Sequence, residues 1–418
     1  MTLGRQVFEF LKAASVAHAQ WDYEVSMNIL KNRKKLLILL LMALPVLVVA
    51  VCEGAGILGG KTAYAPAHYS TTIFVVSIAI GLCAGLITGC IGAGGGFIIT
   101  PALMAAGVKG ILAVGTDLFH IFAKAIMGTA VHKKLGNVSV KLAVAFLVGS
   151  GLGTVVGGTI NKALYNIDPL LSDTFISIVY AILLGFLGFY ALYDFIKSSR
   201  GESASSKGKG HEAHGGPAGM TEVAIKLQHL NIPPMLTFDE DLGGRRLSGV
   251  IVALGGFIVG ILAALMGVGG GFITFPMFVY IFGVSSMTTV GTDILQIIFT
   301  AGLAAVAQYA IYGYVFYSLA IGMLLGSLFG IQLGALTTKV VKGIHIRGFY
   351  AISILAGFIN RAATLPEKLT ELEIINIPKS VSGPIDFIGT IIFWVVVGFF
   401  GIWVLSKFFG NLKALREG

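Results

Sequence analysis

A chain of 418 residues that is 56% hydrophobic and 12% charged, with mean hydropathy +0.89, carries too much apolar surface for a water-soluble fold. Soluble domains hold about 25% charged residues, so a soluble enzyme or binding module is excluded and the bilayer becomes the solvent. The net charge of +9 is no pointer to nucleic acid, because the placement of Lys and Arg between apolar segments accounts for it.

Residues 1–35 read as a cytoplasmic extension, in which Leu3, Val7, Phe10, Leu11 and Ala14 fall at the spacing of a helix lying in the interface. The basic run Lys31–Lys35 leads into an extra transmembrane helix over 36–52, kinked at Pro45. The long segment ahead of it and the lack of a small-residue cleavage site argue against a signal peptide. Apolar segments at 72–91, 97–108, 111–131, 141–162 and 174–196 make a first transmembrane repeat, 72–196. Residues 197–247 are polar and rich in Ser, Gly and His, and read as a cytoplasmic loop. Segments at 248–266, 271–282, 289–312, 316–337, 348–361 and 386–408 make a second repeat, 248–408, and 409–418 is a cytoplasmic tail. Cys52, Cys83 and Cys90 show neither metal spacing nor a disulfide framework, and read as small buried hydrophobes, with a minor lining role open to Cys90 just before the first glycine run. His211 and His214 in the polar loop either touch a metal or sit in a disordered Gly/Ser stretch; the second reading is taken, and no metal or other cofactor is expected. No Walker A run is present, which argues against ATP as the energy source.

The two repeats share an unusual motif. Gly92-Ala-Gly-Gly-Gly-Phe97 with Pro101 recurs as Gly267-Val-Gly-Gly-Gly-Phe272 with Pro276, and each is followed by Val-Gly-Thr-Asp ending at Asp117 and Asp293. Gly149, Gly153 and Gly157 then match Gly326, Gly330 and Gly334, a four-residue spacing that suits close helix packing. Paired Gly/Pro interruptions at matching places in two halves point to a transporter's binding site. No βαβ unit surrounds the glycines, so a dinucleotide site is excluded.

Segments 97–108 and 271–282 fall short of the roughly 20 residues that a spanning helix needs. If each glycine run turns the chain back, with the N-terminus cytoplasmic, 22 Lys and Arg lie inside and 6 outside, with Lys124 within the membrane. If each segment crosses instead, the split is 14 to 14, so the turn-back reading satisfies the positive-inside rule and the other does not. Three crossings then separate the two hairpins, an odd number. The expected fold is an all-α polytopic membrane protein of two inverted repeats, each a Gly-broken helical hairpin followed by three transmembrane helices, plus the extra N-terminal helix. Both termini lie in the cytoplasm, and the hairpins enter from opposite faces to meet near the midplane.

A broken helix offers unpaired N–H groups and the positive end of its dipole, which attract anions. The candidate substrate-binding set is therefore Gly92, Gly94, Gly95, Gly96 and Phe97 with Gly267, Gly269, Gly270, Gly271 and Phe272. Thr100, Thr116, Thr274 and Thr292 add hydroxyls near the breaks, suited to an oxyanion or to helix packing. The following helices carry matched polar stripes: Asp117, His120, Lys124 and His132 in one, Asp293, Gln296, Thr300 and Gln308 in the other. Polar residues in a membrane helix are costly and face a cavity or a partner. Lys124 either holds an anion or pairs with Asp117. His120 either binds substrate and relays protons or is a satisfied interhelical group. Asp117 and Asp293 follow Gly-Thr where helices are expected to start, which suits an N-cap, with proton coupling as the alternative. His132 beside Lys133 and Lys134 suits the membrane edge. Arg361 with Asn360 at a helix end either snorkels or attracts anions to a vestibule.

The duplicated GxGGGFxxxP, with V-G-T-D after it, resembles the TauE/SafE family over residues 72–408. That resemblance implies a multi-pass carrier of the bacterial inner membrane for sulfur-containing or organic anions, with the two glycine hairpins flanking the substrate. The expectation is a secondary transporter of sulfite or a related small anion, an exporter working by alternating access, with proton coupling through Asp117, Asp293 and His120. Its partners are that anion and membrane lipid. An anion channel or a permease for organic sulfonates or carboxylates has the same architecture. An intramembrane enzyme would need a nucleophile or metal set that the sequence lacks, and a sensor has only the loop 197–247 in its favour.

Overall fold

The computed structural model describes residues 71–91, 95–134, 139–202, 222–238, 245–337, 340–341 and 343–411, all within one compact unit, 58–418. The expected extension 1–35, the helix 36–52, Gly92, Gly94, His211 and His214 lie outside the described residues, as does the side chain of His132.

The first half comprises α1 (Thr71–Ile91), α2 (Gly96–Ala105), α3 (Gly110–Lys134), α4 (Val140–Ile167) and α5 (Pro169–Glu202). A short connector follows: α6 (Glu222–Gln228) and an antiparallel hairpin of β1 (Met235–Phe238) and β2 (Arg245–Ser248). The second half comprises α7 (Gly249–Met266), α8 (Gly271–Pro276) running into a π turn (Met277–Phe282), and α9 (Ser286–Leu303), which continues through a second π turn (Ala304–Tyr309) to Tyr312. It ends with α10 (Tyr317–Thr337), α11 (Gly343–Glu371) and α12 (Lys379–Gly410), so four long helices follow the second glycine run, where three were expected; α12 has no counterpart in the first half. Among the described residues, eight helices are long and apolar enough to cross a membrane by length and composition. The chain is an all-α, multi-pass membrane protein.

Lipid exposure explains the patterning. On α4, Val144, Val148, Leu152 and Val155 point outward, while Gly149, Gly153 and Gly157 point at α7. A Cβ on any of these glycines would run into the carbonyl oxygens of Ala253, Phe257 and Ile261 in turn. The second half repeats the arrangement: Gly326, Gly330 and Gly334 of α10 abut the carbonyls of Ile78, Leu82 and Leu86 of α1. Two lipid-facing helices have no water-driven reason to associate, so close backbone approach across small residues supplies the attraction. Both pairs run parallel, and each joins the first helix of one half to the fourth of the other.

Helices that correspond across the halves run antiparallel. Between α3 and α9, Gly115 lies against Tyr309 and Phe122 against Gly302. Between α5 and α11, Gly185 lies against Phe358, Gly188 against Leu355 and Phe195 against Gly348.

The connector is more structured than its polar composition suggests. Ala224, Phe238 and Leu247 are buried, Gln228 Nε2 donates to the Phe282 carbonyl at 2.8 Å, and Arg245 Nη1 donates to that of Gly283 at 2.6 Å. These bonds satisfy carbonyls at the end of the π turn, which its own helix leaves unpaired. α5 extends to Glu202, beyond the expected end at 196, and α11 extends to Glu371, beyond the expected end at 361.

Candidate transport site

The glycine runs make turns that side chains resist. Gly95, Gly267, Gly269 and Gly270 have φ of 69°, 80°, 63° and 93°, left-handed values that glycine adopts without steric cost. A Cβ on Gly95 would lie 3.0 Å from the Ala84 carbonyl oxygen, and one on Gly270 would lie 2.9 Å from Val259. Each partner is eleven residues earlier in the chain. A straight helix would separate such residues by about 16 Å, so both runs double the chain back, by the same geometry.

The two turns meet. A Cβ on Gly96 would lie 3.0 Å from Val268 Cα, and one on Gly267 would lie 2.9 Å from Thr100 Oγ1. The matched rings of Phe97 and Phe272 sit 5.7 Å apart, and Tyr350 stands edge-on to Phe97. Gly271, the first residue of α8, faces Asp293, whose Oδ2 would be 3.2 Å from an added Cβ.

Around this junction lies a buried polar cluster. In the first half, Thr100 Oγ1 donates to Asp117 Oδ2 at 3.0 Å, and His120 Nε2 meets Ser327 Oγ at 3.0 Å. Asp117 Oδ1 and His120 Nδ1 face each other at 3.6 Å, and neither has a hydrogen-bond partner among the described residues. Lys124 acts electrostatically on both Asp117 and His120. In the second half, Gln296 Nε2 donates to Asp293 Oδ1 at 2.8 Å, Thr300 Oγ1 donates to Gln296 Oε1 at 2.7 Å, and Thr300 meets Ser150 Oγ at 2.8 Å. Thr274 Oγ1 donates to the Gly270 carbonyl at 2.9 Å. Asp117, His120, Thr300 and Ser327 are fully buried, and Asp293, at 7%, is the most exposed of Thr100, Asp117, His120, Thr274, Asp293, Gln296 and Thr300.

Thr116 and Thr292 do something else. Thr116 Oγ1 accepts from Phe316 N at 2.9 Å, and Thr292 Oγ1 accepts from Ser139 N at 3.0 Å. Each ties the start of the other half's fourth helix, so these hydroxyls lock the halves together.

Two local expectations are corrected. Asp117 and Asp293 do not cap helix starts, because α3 begins at Gly110 and α9 at Ser286. Gly110 N is instead met by Asp173 Oδ1 at 2.7 Å, and Ser285 caps α9. Arg361 does not snorkel from a helix end: it sits inside α11 at 2% exposure, donating through Nε to Asn360 Oδ1 at 2.8 Å. Residues outside the expected set also take part. Tyr180 and Tyr309 donate to the Met266 and Ala264 carbonyls at the end of α7, and Asn161 Nδ2 donates to Tyr309 Oη at 3.0 Å. The only signal for these in the sequence is a hydroxyl or amide set in an otherwise apolar run.

A multi-pass helical protein whose two halves bring doubled-back glycine turns together over a buried polar cluster has the build of a membrane transporter. The chain belongs to the sulfite exporter TauE/SafE family, whose model matches residues 77–360. It is similar to the probable membrane transporter protein YunE of Bacillus subtilis (strain 168), 27% identical over 280 residues, covering 64% of this chain and 90% of that one. It is also similar to the probable membrane transporter protein YjnA of the same organism, 24% identical over 258 residues, covering 62% of this chain and 87% of that one. A probable membrane transporter protein of Xylella fastidiosa (strain 9a5c) is 22% identical over 264 residues, covering 63% of this chain and 84% of that one. No solved structure gives a significant match.

Proposed function

We propose that this protein is a secondary carrier that exports sulfite or a related small sulfur-containing anion across a bacterial inner membrane, by alternating access between two inverted halves. The observation that carries the reading is the meeting of the two glycine turns, Gly96 against Val268 and Phe97 against Phe272, over a polar cluster with Lys124 beside it. Broken-helix N-termini and an ammonium attract an anion. A cation site would want converging carboxylates and carbonyls. The antiparallel run of α3 against α9 and of α5 against α11 supports the inverted plan. Burial of the whole cluster favours a carrier over a channel, since an open pore would leave it wet.

Proton coupling is assigned to Asp117 and His120, whose facing Oδ1 and Nδ1 lack hydrogen-bond partners among the described residues, with Asp293 as the matched acid. The test is sulfite flux into proteoliposomes of the purified protein, with chloride and sulfate as competitors. Saturable flux that Lys124→Ala weakens at least about tenfold, a loss of about 1.4 kcal/mol, is the expected result. Absence of flux from folded protein would reject sulfite and turn attention to organic sulfonates and carboxylates.

A further inference from the structure

A cleft of about 360 Å³ lies where the end of α2 meets α5, α11 and α12. Met104 and Val108 form one wall, and the charged groups facing it are Asp173, Arg361, Glu367, Lys368, Glu371 and Asp386. Asp173, Lys368 and Glu371 are committed to ion pairs. Lys368 Nζ lies 3.7 Å from Asp173 Oδ2, and Lys379 Nζ lies 3.8 Å from Glu371 Oε1. Of the other three, Arg361 and Asp386 stand apart from Glu367 because each has polar atoms inside the fold. Arg361 is 2% exposed, yet among the described residues its side-chain hydrogen bonds go to the single acceptor Asn360 Oδ1. Asp386 Oδ1 is buried and has no hydrogen-bond partner among those residues. A guanidinium offers five donors and a carboxylate only acceptors; Asp386 is part-exposed and lies in the field of Arg361 with no direct hydrogen bond to it among the described residues, so both keep capacity for a ligand.

We propose that this cleft is a binding vestibule for a singly protonated oxyanion, and that Arg361 and Asp386 together read its protonation state. The inference rests on the sulfite-carrier reading and adds a second site to it. A hydrogen oxyanion carries both complements: oxygens to accept from Arg361 and one O–H to donate to Asp386 Oδ1. A fully ionised oxyanion such as sulfate has acceptors alone and would set its lone pairs against that carboxylate. Hydrogen sulfite exists near neutral pH, whereas sulfate takes up a proton only in strong acid, so the pair separates two anions of similar size by a difference in donors. Discrimination of this kind is steep, because the wrong ligand leaves buried polar groups unpaired.

The test measures equilibrium binding of radiolabelled sulfite to the purified full-length protein, and flux in proteoliposomes, at mildly acidic and mildly alkaline pH with sulfate as competitor. Wild type should bind more tightly on the acidic side and ignore sulfate. Asp386→Asn should flatten that pH preference and make sulfate a competitor, improving its inhibition about tenfold or more, or about 1.4 kcal/mol. A misfolded protein cannot produce such a gain. Arg361→Lys, which keeps the charge but not the fork, should weaken sulfite binding about tenfold. Unchanged sulfate exclusion and pH preference in Asp386→Asn would overturn the vestibule. So would a zwitterionic aminosulfonate that displaces sulfite from wild type but not from Asp386→Asn, because Asp386 would then be a cation acceptor. If sulfite binds in an Arg361-dependent manner but is not carried, the carrier reading fails and the vestibule stands. If it is carried with both variants behaving as wild type, the reverse holds.

Discussion

Asp117 and Asp293 occupy equivalent places in the two halves and keep different company. Asp293 receives Gln296 at 2.8 Å, whereas Asp117 Oδ1 faces His120 Nδ1 across 3.6 Å with neither atom bonded among the described residues. A proton can be placed between the second pair, so the first half is where the charge can change. Asp117→Asn should therefore flatten the pH dependence of flux, while Asp293→Asn keeps most of it; retention of a wild-type pH profile in Asp117→Asn would remove the coupling role. The tyrosines carry a different prediction. Tyr309→Phe leaves the Ala264 carbonyl and Asn161 Nδ2 without their partner. It should cost about 1 kcal/mol of stability, the modest size typical of hydrogen bonds inside membranes, read as a lowered melting temperature with sulfite affinity preserved. The polar residues of the cluster could be picked out in the sequence, because a charge or amide in an apolar helix stands out. Their partners could not: Thr116 meets Phe316 and Thr292 meets Ser139 across 200 and 153 residues, a distance that no local period reports.

At the scale of helices, α4 offers a matched pair of substitutions. A Cβ on Gly153 would collide with the Phe257 carbonyl of α7, while one on Gly151 finds nothing nearer than Leu303 at 3.7 Å. Gly153→Ala should push α4 from α7 at a cost of about 1–3 kcal/mol. Gly151→Ala should be tolerated, since alanine is also the better helix former. Equal melting temperatures for the two variants would mean that the small-residue seam does not hold the halves together. The seam itself was legible, because glycine at every fourth residue on an apolar helix has few other uses. The matching seam of α7, Gly256 and Gly260 against Phe146 and Ser150 of α4, also shows the four-residue spacing, but nothing local says which of several glycine-bearing helices it meets. Caps that come from far away are not legible: Gly110 is held by Asp173, 63 residues on, so Gly-Thr-Asp lies inside α3 and not at its start.

For the whole molecule, the positive-inside count and the antiparallel packing of α5 on α11 argue for one topology by independent routes. Lys162 falls near the end of α4, and Val340 falls between α10 and α11. On the inverted plan these two places open to opposite sides of the membrane. In a background without the natural cysteines, Lys162→Cys and Val340→Cys should therefore react with impermeant thiol reagents from opposite faces; labelling of both from one face would break the plan. The duplication is visible in the sequence as a repeat, and the pairing of first helix with opposite fourth helix is its consequence in three dimensions. The connector departs from that symmetry. It fastens α6 and β2 to the end of the second hairpin through Gln228 and Arg245, whereas the matching end of α2, at Met104–Val108, borders an open cleft. Two identical halves would make the inward-facing and outward-facing states mirror images of equal energy, each populated half the time. In a carrier that moves its second hairpin between the two states, a fastening on one hairpin alone would lift that degeneracy, because the two states would not keep those two hydrogen bonds equally. At a net value of about 1 kcal/mol each, the connector would bias the resting population roughly thirtyfold, and the carrier would wait for its substrate facing one chosen side.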